Sequence, residues 1–313
     1  MWSPSPRYVE RANVTRFMRA HGIETYEELV ARSVGDIVWF WDAVVRDLGI
    51  SFLAPYEEVL DTSRGIEWAT WFTGGKINVA HQCVDVWAER TPEAVAVVWE
   101  AEDGEVRRVT YRELRELTDR LAHGLRSLGV GHRDAVGIFM PMAIETVAAV
   151  MACSKLGAIW VPIFSGFGPD AVAARLADAR AKVLVTADGS LRRGHPVGMK
   201  EIADRAANDV VSVEKVVTWG RLADRSAPWN GWRDVRWEDL LAAQPGRFDT
   251  EPLDSEHPLF IGYTSGTTGT PKGALHVHGG FLVKIAEEVA YQVDVRPGDV
   301  LHWVTDLGWI MGP

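Results

Sequence analysis

Apolar and polar residues follow two different patterns along the chain, and the pattern changes near residue 80. Residues 1–65 predict helices and loops, among them a helix from Val38 to Leu48 with an aromatic face. From residue 80 onwards, short apolar runs alternate with stretches in which apolar residues recur every three or four positions. This alternation predicts strands that are joined by right-handed helical crossovers in a mostly parallel sheet.

Local signals at the ends of elements sharpen this prediction. Two Thr-x-x-Glu segments, which begin at Thr25 and Thr110, are capping boxes that favour the start of a helix. Asp103-Gly104 lies between two apolar runs and predicts a β-hairpin. The predicted strands are 94–100, 106–111, 134–140, 158–163, 182–186, 213–218, 259–263 and 274–278. The predicted helices of this part are 111–128, 144–156, 169–179, 200–207, 237–243 and 280–291, and residues 220–257 are otherwise predicted to be irregular.

The predicted fold class is therefore α/β, with mostly parallel sheets flanked by helices. A helical segment of residues 1–78 precedes an α/β domain of residues 79–313. In parallel sheets of this kind, ligands bind beyond the carboxyl ends of the strands. We expect the functional residues in the loops at that edge.

Composition and charge exclude several function classes. The chain of 313 residues has a formal net charge of −10 and no long run of Lys or Arg, so we expect no nucleic-acid partner. Its most apolar stretch, residues 140–164, is interrupted by Glu145, Lys155 and two prolines, which disfavours a membrane span. The two cysteines are far apart, and the N-terminus is not a signal peptide, which favours a reducing cytoplasm.

The strongest chemical signal is a loop of residues 263–273, which reads Tyr-Thr-Ser-Gly-Thr-Thr-Gly-Thr-Pro-Lys-Gly. Its glycines let backbone N–H groups approach a phosphate, and its hydroxyls add further donors. Lys272 adds a flexible positive charge for the outer phosphates. The loop therefore predicts a phosphate site.

Two better-known phosphate loops do not fit the sequence. The P-loop has Gly before its Lys and Ser or Thr after it, whereas Pro271 and Gly273 flank Lys272. The segment Gly129-Val-Gly131-His-Arg-Asp134 lacks the third glycine of the dinucleotide fingerprint and follows a predicted helix. The phosphate loop of residues 263–273 must therefore belong to another class.

This loop resembles the phosphate-loop signature of the adenylate-forming, or AMP-binding, superfamily, which includes acyl-CoA synthetases, nonribosomal-peptide adenylation domains and luciferases. Three further segments, residues 71–79, 163–172 and 306–312, resemble those of acyl-CoA synthetases of the acetyl-CoA synthetase type, in matching order and spacing. The resemblance implies an ATP-dependent acid–CoA ligase. Acetate or another short-chain acid would form an acyl-adenylate with ATP and Mg²⁺, and CoA would then displace AMP.

The resemblance also implies roles for individual residues. ATP phosphate binding falls on Thr264, Ser265, Gly266, Thr267, Thr268, Gly269 and Lys272, with Lys272 and Thr267 as the catalytic pair. CoA binding falls on Phe164, Ser165, Gly166 and Arg192. The family often has glycine at the position of Ser165. Where it has a second arginine for the CoA 3′-phosphate, this chain has His195, with Arg193 as a substitute.

The predicted acyl pocket comprises Trp309, Ile310 and Met311. In acetate enzymes of the family the smaller Val and Thr usually follow the tryptophan, so propionate or another acid stays open as the substrate. We predict no metal site. His276 and His278 are expected to share one face of a strand, but they lack a third ligand and favour a structural or phosphate-proximal role.

The resemblance implies further parts that have no counterpart here. These are an adenine and ribose segment, an acidic Mg²⁺ ligand, a ribose-binding aspartate and a mobile C-terminal domain with a catalytic lysine. We therefore expect residues 79–313 to be a partial AMP-binding domain, truncated, inactive alone and prone to self-association through its exposed face. Two alternatives stay open: an adenylation domain that serves a carrier protein, and a non-catalytic nucleotide-binding fragment.

Overall fold

The computed structural model describes residues 3–223, 227–264 and 271–313, which form two compact units. One comprises Met1–Ile77, Asp254–Glu256 and His278–Val304, and the other comprises Asn78–Leu253, His257–Val277 and Thr305–Pro313. The helices of the described residues are α1 (Pro6–Arg11), α2 (Asn13–Ala20), α3 (Tyr26–Gly35), α4 (Ile37–Leu48), α5 (Val86–Arg90), α6 (Tyr111–Ser127), α7 (Ile144–Leu156), α8 (Pro169–Asp178), α9 (Lys200–Asn208), α10 (Trp237–Ala242) and α11 (His278–Glu287).

The described strands are β1 (Glu58–Asp61), β2 (Thr70–Thr73), β3 (Lys76–Ile77), β4 (Val95–Glu100), β5 (Val106–Thr110), β6 (Ala135–Phe139), β7 (Ile159–Pro162), β8 (Val183–Ala187), β9 (Gly189–Arg192), β10 (His195–Gly198), β11 (Lys215–Trp219), β12 (Asp234–Arg236), β13 (Leu253–Asp254), β14 (Pro258–Thr264) and β15 (Lys272–Val277). Short π-helical turns cover His81–Asp85 and Glu288–Gln292, and a 3-10 turn covers Ile66–Trp68.

The larger unit is built on a sheet that has seven strands within the described residues, in the order β12-β11-β8-β6-β7-β14-β15. Neighbouring strands pair in parallel, except that β14 and β15 are antiparallel. Strands β6 and β8 are buried along their whole length, as strands covered on both faces must be. The predicted α/β class with a mostly parallel sheet is confirmed.

Helices cover both faces of this sheet. Helix α6 packs on α7, and α8 packs on α9. The crossover from β6 to β7 and the crossover from β7 to β8 run in opposite directions along the sheet, so their common right-handedness places α7 and α8 on opposite faces. Helix α6 begins as predicted, because Thr110 and Glu113 form a complete capping box.

The smaller unit contains helices α1 to α4, the antiparallel pair of β1 and β2, and α11 with the turn that follows it. Its core includes Phe17, which is fully buried and lies 5.1 Å from the ring of Tyr291. The capping box predicted at Thr25 forms only in part. Thr25 accepts the N–H of Glu28, but the Glu28 carboxylate accepts the N–H of Glu24 at 3.0 Å.

The structure corrects the sequence-based account at several places. Strand β1 lies within residues 1–65, which were predicted to contain helices and loops, and it pairs with β2. His278 does not continue the strand of His276 but begins α11, where it is fully buried, so the two histidines do not share a strand face. The 220–257 connection contains strand β12 in addition to its predicted helix. Strands β9 and β10 form an unpredicted hairpin. Among the described residues, the helices all fall short of the length and apolarity that a membrane span requires.

Candidate functional site

The two ends of the predicted phosphate loop are held opposite each other in the sheet. Thr264 ends β14 and Lys272 begins β15, and these two residues are paired in the antiparallel register. The Oγ1 of Thr264 lies 3.5 Å from the carbonyl O of Lys272, and both residues are exposed. The predicted residues Ser265, Gly266, Thr267, Thr268 and Gly269 lie outside the described residues. Strands β14 and β15 therefore form a hairpin, and the predicted loop begins at the carboxyl end of β14.

Strand β14 lies beside β7 in parallel, with Phe260 paired to Trp160. The predicted CoA segment, residues 163–172, follows β7 directly. Because the carboxyl ends of parallel strands meet at one edge of a sheet, the phosphate loop and this segment leave the sheet side by side. The edge expected from the sequence to bind ligands therefore carries both predicted segments.

A buried arginine lies between these two segments. The guanidinium of Arg175 lies over the ring of Phe167 at 4.2 Å and over the ring of Tyr263 at 5.7 Å. Its Nη1 donates to the carbonyl O of Ala171 at 2.7 Å, and burial lowers the pKa of Arg175 below its ordinary value. The arginine thus fills the space where the base of the phosphate loop approaches the CoA segment, and it adds positive charge there.

Tyr263 is fixed from the side of α8. Its hydroxyl donates to Oδ2 of Asp178 at 2.6 Å. Burial and this carboxylate raise the pKa of Tyr263 well above its ordinary value, so the phenol is neutral at physiological pH. The last residue before the predicted phosphate-binding hydroxyls is therefore held by packing and by one short hydrogen bond.

The predicted CoA and acyl segments contact each other directly. The Oγ of Ser165 donates to Oδ2 of Asp306 at 2.5 Å, and Oδ1 of Asp306 accepts the N–H of Gly308 at 2.8 Å. The rings of Phe164 and Trp309 lie 5.2 Å apart. A Cβ on Gly308 would lie 2.1 Å from the backbone N of Phe164, so only glycine allows this approach.

The acyl-pocket residues are open to solvent in the described structure. Trp309, Ile310 and Met311 have exposed fractions of 54%, 68% and 59%. The ring of Trp309 lies 5.2 Å from the ring of Phe164 in the CoA segment. The acyl pocket therefore stays a prediction.

Arg192 joins this group from the β9–β10 hairpin. A Cβ on Gly166 would lie 2.6 Å from the ring of Phe164 and 3.0 Å from Nη1 of Arg192. Arg192 is paired with His195 in the hairpin register, and both are exposed. The structure thus brings the CoA candidates Phe164, Ser165, Gly166 and Arg192 together beside Trp309.

Sequence reasoning missed two residues of this region. Asp306 lies in a recognised segment, but its contact with Ser165 depends on the approach of residues 141 positions apart. Arg175 lies in an ordinary amphipathic helix, and no local signal distinguishes its burial between Phe167 and Tyr263. Within the described ranges, no group of three or more His, Cys, Asp or Glu side chains is arranged to hold a metal ion.

Comparison with known proteins identifies the family of the chain. Residues 84–313 match the AMP-binding enzyme family, and residues 26–83 match the acetyl-coenzyme A synthetase N-terminus. The chain is 38% identical to an acetyl-coenzyme A synthetase of Thiobacillus denitrificans over 315 residues, which cover 100% of the chain and 47% of the relative. It is 40% identical to that of Methanothrix thermoacetophila over 307 residues, which cover 97% of the chain and 46% of the relative.

Comparison with a solved structure agrees with these family matches. Acetoacetyl-CoA synthetase from Streptomyces lividans superimposes with a TM-score of 0.92 at 30% sequence identity, and the match covers 99% of this chain and 48% of that one. The chain thus spans about half the length of the relatives that it matches. With its family match over residues 84–313 and the preceding N-terminal match, the chain belongs to the AMP-binding enzyme family and is of the acetyl-coenzyme A synthetase type.

Proposed function

We propose that this chain carries the phosphate-binding and CoA-binding parts of an ATP-dependent acid–CoA ligase. In the proposed reaction, a carboxylate oxygen attacks the α-phosphorus of ATP, the bond to pyrophosphate breaks, and an acyl-adenylate forms. The CoA thiol then attacks the acyl carbon, loses its proton, and AMP leaves. The acetyl-coenzyme A synthetase N-terminus at residues 26–83 favours free CoA over a carrier-bound thiol as the acceptor.

One observation carries this proposal. Thr264 and Lys272 are paired at the mouth of the hairpin, beside the CoA segment that follows the adjacent parallel strand β7. A triphosphate bound by the loop would lie at the carboxyl edge of the sheet, next to the second substrate. Such proximity is the main requirement of a two-step transfer between bound partners.

The predicted phosphate-loop residues would act mainly by neutralising the negative charge of the phosphates. Lys272 and the loop donors Thr264, Ser265, Gly266, Thr267, Thr268 and Gly269 would hold the β- and γ-phosphates and follow pyrophosphate as it leaves. Lys272 and Thr267 are the residues that we assign to catalysis. A local site of this kind is needed because the net charge of −10 disfavours a polyanion over most of the surface.

Mg²⁺ is proposed as the companion of ATP. When bound, it would neutralise phosphate charge. The described residues offer no carboxylate cluster for it, so we assign it no ligand from this chain. On the CoA side, Phe164, Ser165, Gly166 and Arg192 would bind the nucleotide end, with Arg192 as the cation for a phosphate.

The acid is proposed to be a short-chain carboxylate. The relatives are named for acetyl and acetoacetyl groups, and the exposed Trp309, Ile310 and Met311 would form one wall of its pocket. We also propose a cytoplasmic location, domain limits at 1–78 and 79–313, and self-association of the isolated chain. The edge strand β15 supports the last point, because four of its residues are exposed, including Leu275.

Two assays on the purified chain test the proposed function. Calorimetric titration with Mg-ATP and, separately, with CoA should show binding of both. ATP–pyrophosphate exchange with acetate, propionate or acetoacetate should be absent, because the chain spans about half of its relatives. Robust exchange would contradict inactivity of the isolated chain. Binding of ATP without CoA would favour the non-catalytic nucleotide-binding alternative, and binding of neither would overturn the proposal.

A further inference from the structure

We propose that Asp306 is a positioning residue that holds the CoA segment in its binding conformation by clamping Ser165. This inference rests on the proposed CoA-binding role of Phe164, Ser165 and Gly166. It adds a residue from the acyl segment to the determinants of CoA affinity. It therefore predicts that a change at position 306 alters CoA binding although Asp306 itself need not touch CoA.

Several hydrogen-bond donors converge on the carboxylate of Asp306. Oδ2 of Asp306 accepts the hydroxyl of Ser165 at 2.5 Å, and its two oxygens lie 3.3 and 3.4 Å from the backbone N of Ser165. Oδ1 also accepts the N–H of Gly308 at 2.8 Å. These bonds link a residue after β7 to a turn 141 positions later, so the carboxylate joins two segments that are distant in the sequence.

The hydrogen-bond donors identified for the Asp306 carboxylate are uncharged groups. In the described part of the chain, none of the ion pairs includes Asp306, and its identified hydrogen-bond donors are two backbone N–H groups and one hydroxyl. Hydrogen bonds to an ionised acceptor are stronger than neutral ones. An asparagine at this position would replace one acceptor oxygen by an NH₂ group, which cannot accept a bond from Ser165 or Gly308.

The clamped residue, Ser165, lies between two residues that make close contacts. Phe164 packs against Trp309, and Gly166 packs against both Phe164 and the guanidinium of Arg192. Ser165 lies between these two close contacts. A shift of its backbone would move the aromatic ring and the approach to Arg192 together, so the clamp sets the shape of the proposed CoA surface.

The serine itself strengthens the clamp in this chain. A glycine at position 165 would keep the backbone N–H but lose the 2.5 Å bond from the hydroxyl. We therefore expect a graded series, in which Ser165→Gly removes one bond and Asp306→Asn weakens all of them.

The test uses this 313-residue chain and two readouts. Calorimetry with CoA should give a dissociation constant raised about tenfold in Asp306→Asn and about threefold in Ser165→Gly, while that for Mg-ATP stays within about twofold. Hydrogen exchange should accelerate in the peptide of residues 160–168 in Asp306→Asn without CoA. Asp299→Asn is the matched control, because Asp299 accepts a backbone N–H of Arg296 in a turn elsewhere.

The outcomes separate this inference from the proposed function. Wild-type binding of CoA with unchanged affinity in both variants would overturn the clamp and leave the proposed function intact. No CoA binding by the wild-type chain would overturn the clamp and the CoA half of the proposal, while ATP binding would keep the other half. If Asp306→Asn does not fold, hydrogen exchange of residues 160–168 in Ser165→Gly without CoA keeps the test decisive, because it reports the clamp and not a contact with CoA; unchanged exchange there would overturn the clamp.

Discussion

Gly308 and Phe164 approach so closely that no side chain fits between them: a Cβ on Gly308 would lie 2.1 Å from the backbone N and 2.3 Å from the Cα of Phe164. This contact joins the turn that contains Trp309 to the segment after β7. Two segments with separate predicted roles, one for CoA and one for the acid, are therefore packed as one structural element.

The first prediction concerns this contact. Gly308→Ala should destabilise the chain by about 1–3 kcal/mol, because the added methyl group has no space and backbone must move. Urea denaturation measures this loss. Gly231→Ala is the control, because a Cβ there meets no atom within 4 Å. Equal unfolding midpoints for the two variants would show that the close approach is not a constraint.

The second prediction concerns a buried lysine. Lys200 is 1% exposed, and its Nζ lies 2.6 Å from Asp204 and 2.7 Å from Asp234. Lys200→Met should lower the free energy of unfolding, by up to about 3–5 kcal/mol, because Asp204 and Asp234 lose this buried cation and keep, among the described residues, only Arg233 as an ion-pair partner.

An exposed pair of the same type provides the control for Lys200. Lys76 lies 3.4 Å from Asp254, and both side chains are largely open to solvent. Lys76→Met should cost less than about 1 kcal/mol. If both lysine variants lost the same small amount of stability in denaturant titrations, the buried ion pairs would not be the stabilising element inferred here.

The third prediction is a pH dependence. His276 stacks on Phe260 at 4.3 Å, and burial lowers the pKa of His276 below its ordinary value of 6.5. As pH falls through 6.5, the unfolded chain binds this proton more readily than the folded chain, so stability falls with falling pH. His276→Gln should reduce this loss of stability between pH 7 and pH 5.5.

Urea midpoints at several pH values measure the His276 effect. The substitution of exposed His302 by Gln serves as the control for the removal of an imidazole. A pH profile that His276→Gln leaves as steep as that of the wild type would mean that another group titrates.

The fourth prediction concerns thiol chemistry. Cys153 is fully buried, and burial raises its pKa to about 12, so its reactive thiolate is scarce near neutral pH. Burial also raises the pKa of Cys83 to about 11. Both thiols should react with an aromatic disulfide reagent in urea, whereas Cys153 should be protected in native buffer. Rapid native reaction of Cys153, measured in Cys83→Ala, would contradict its burial.

Much of the larger unit was predictable because its local signals agree with its tertiary structure. Helix α7 was predicted at its observed limits, and the hairpin of β4 and β5 followed from the turn at Gly104, which has a φ of +83°. In these elements the apolar runs, the helix caps and the turn glycine predict the same secondary structure that the fold contains. The positions of the phosphate loop and the CoA segment at the carboxyl edge followed from this topology.

The errors arose where pairing partners, not local sequence, form the element. Strand β12 has three residues, of which only Val235 is apolar, and it forms because β11 offers an edge. The β9–β10 hairpin turns through Arg193 and Gly194, which both have positive φ, and Arg-Gly is a weak turn signal. The contact of Ser165 with Asp306 could not be predicted, since it depends on tertiary approach.

Titration of the chain with Mg-ATP tests the central claim most directly, because it asks whether the loop between Thr264 and Lys272 binds a triphosphate. The account predicts that wild-type chain binds ATP and that Lys272→Ala and Thr267→Ala each weaken binding at least about tenfold. Lys215→Ala should leave the affinity for ATP unchanged, because Lys215 lies on β11 and donates to the carbonyl O of Trp232. Equal ATP affinity in all four proteins would contradict the phosphate-binding role of this loop.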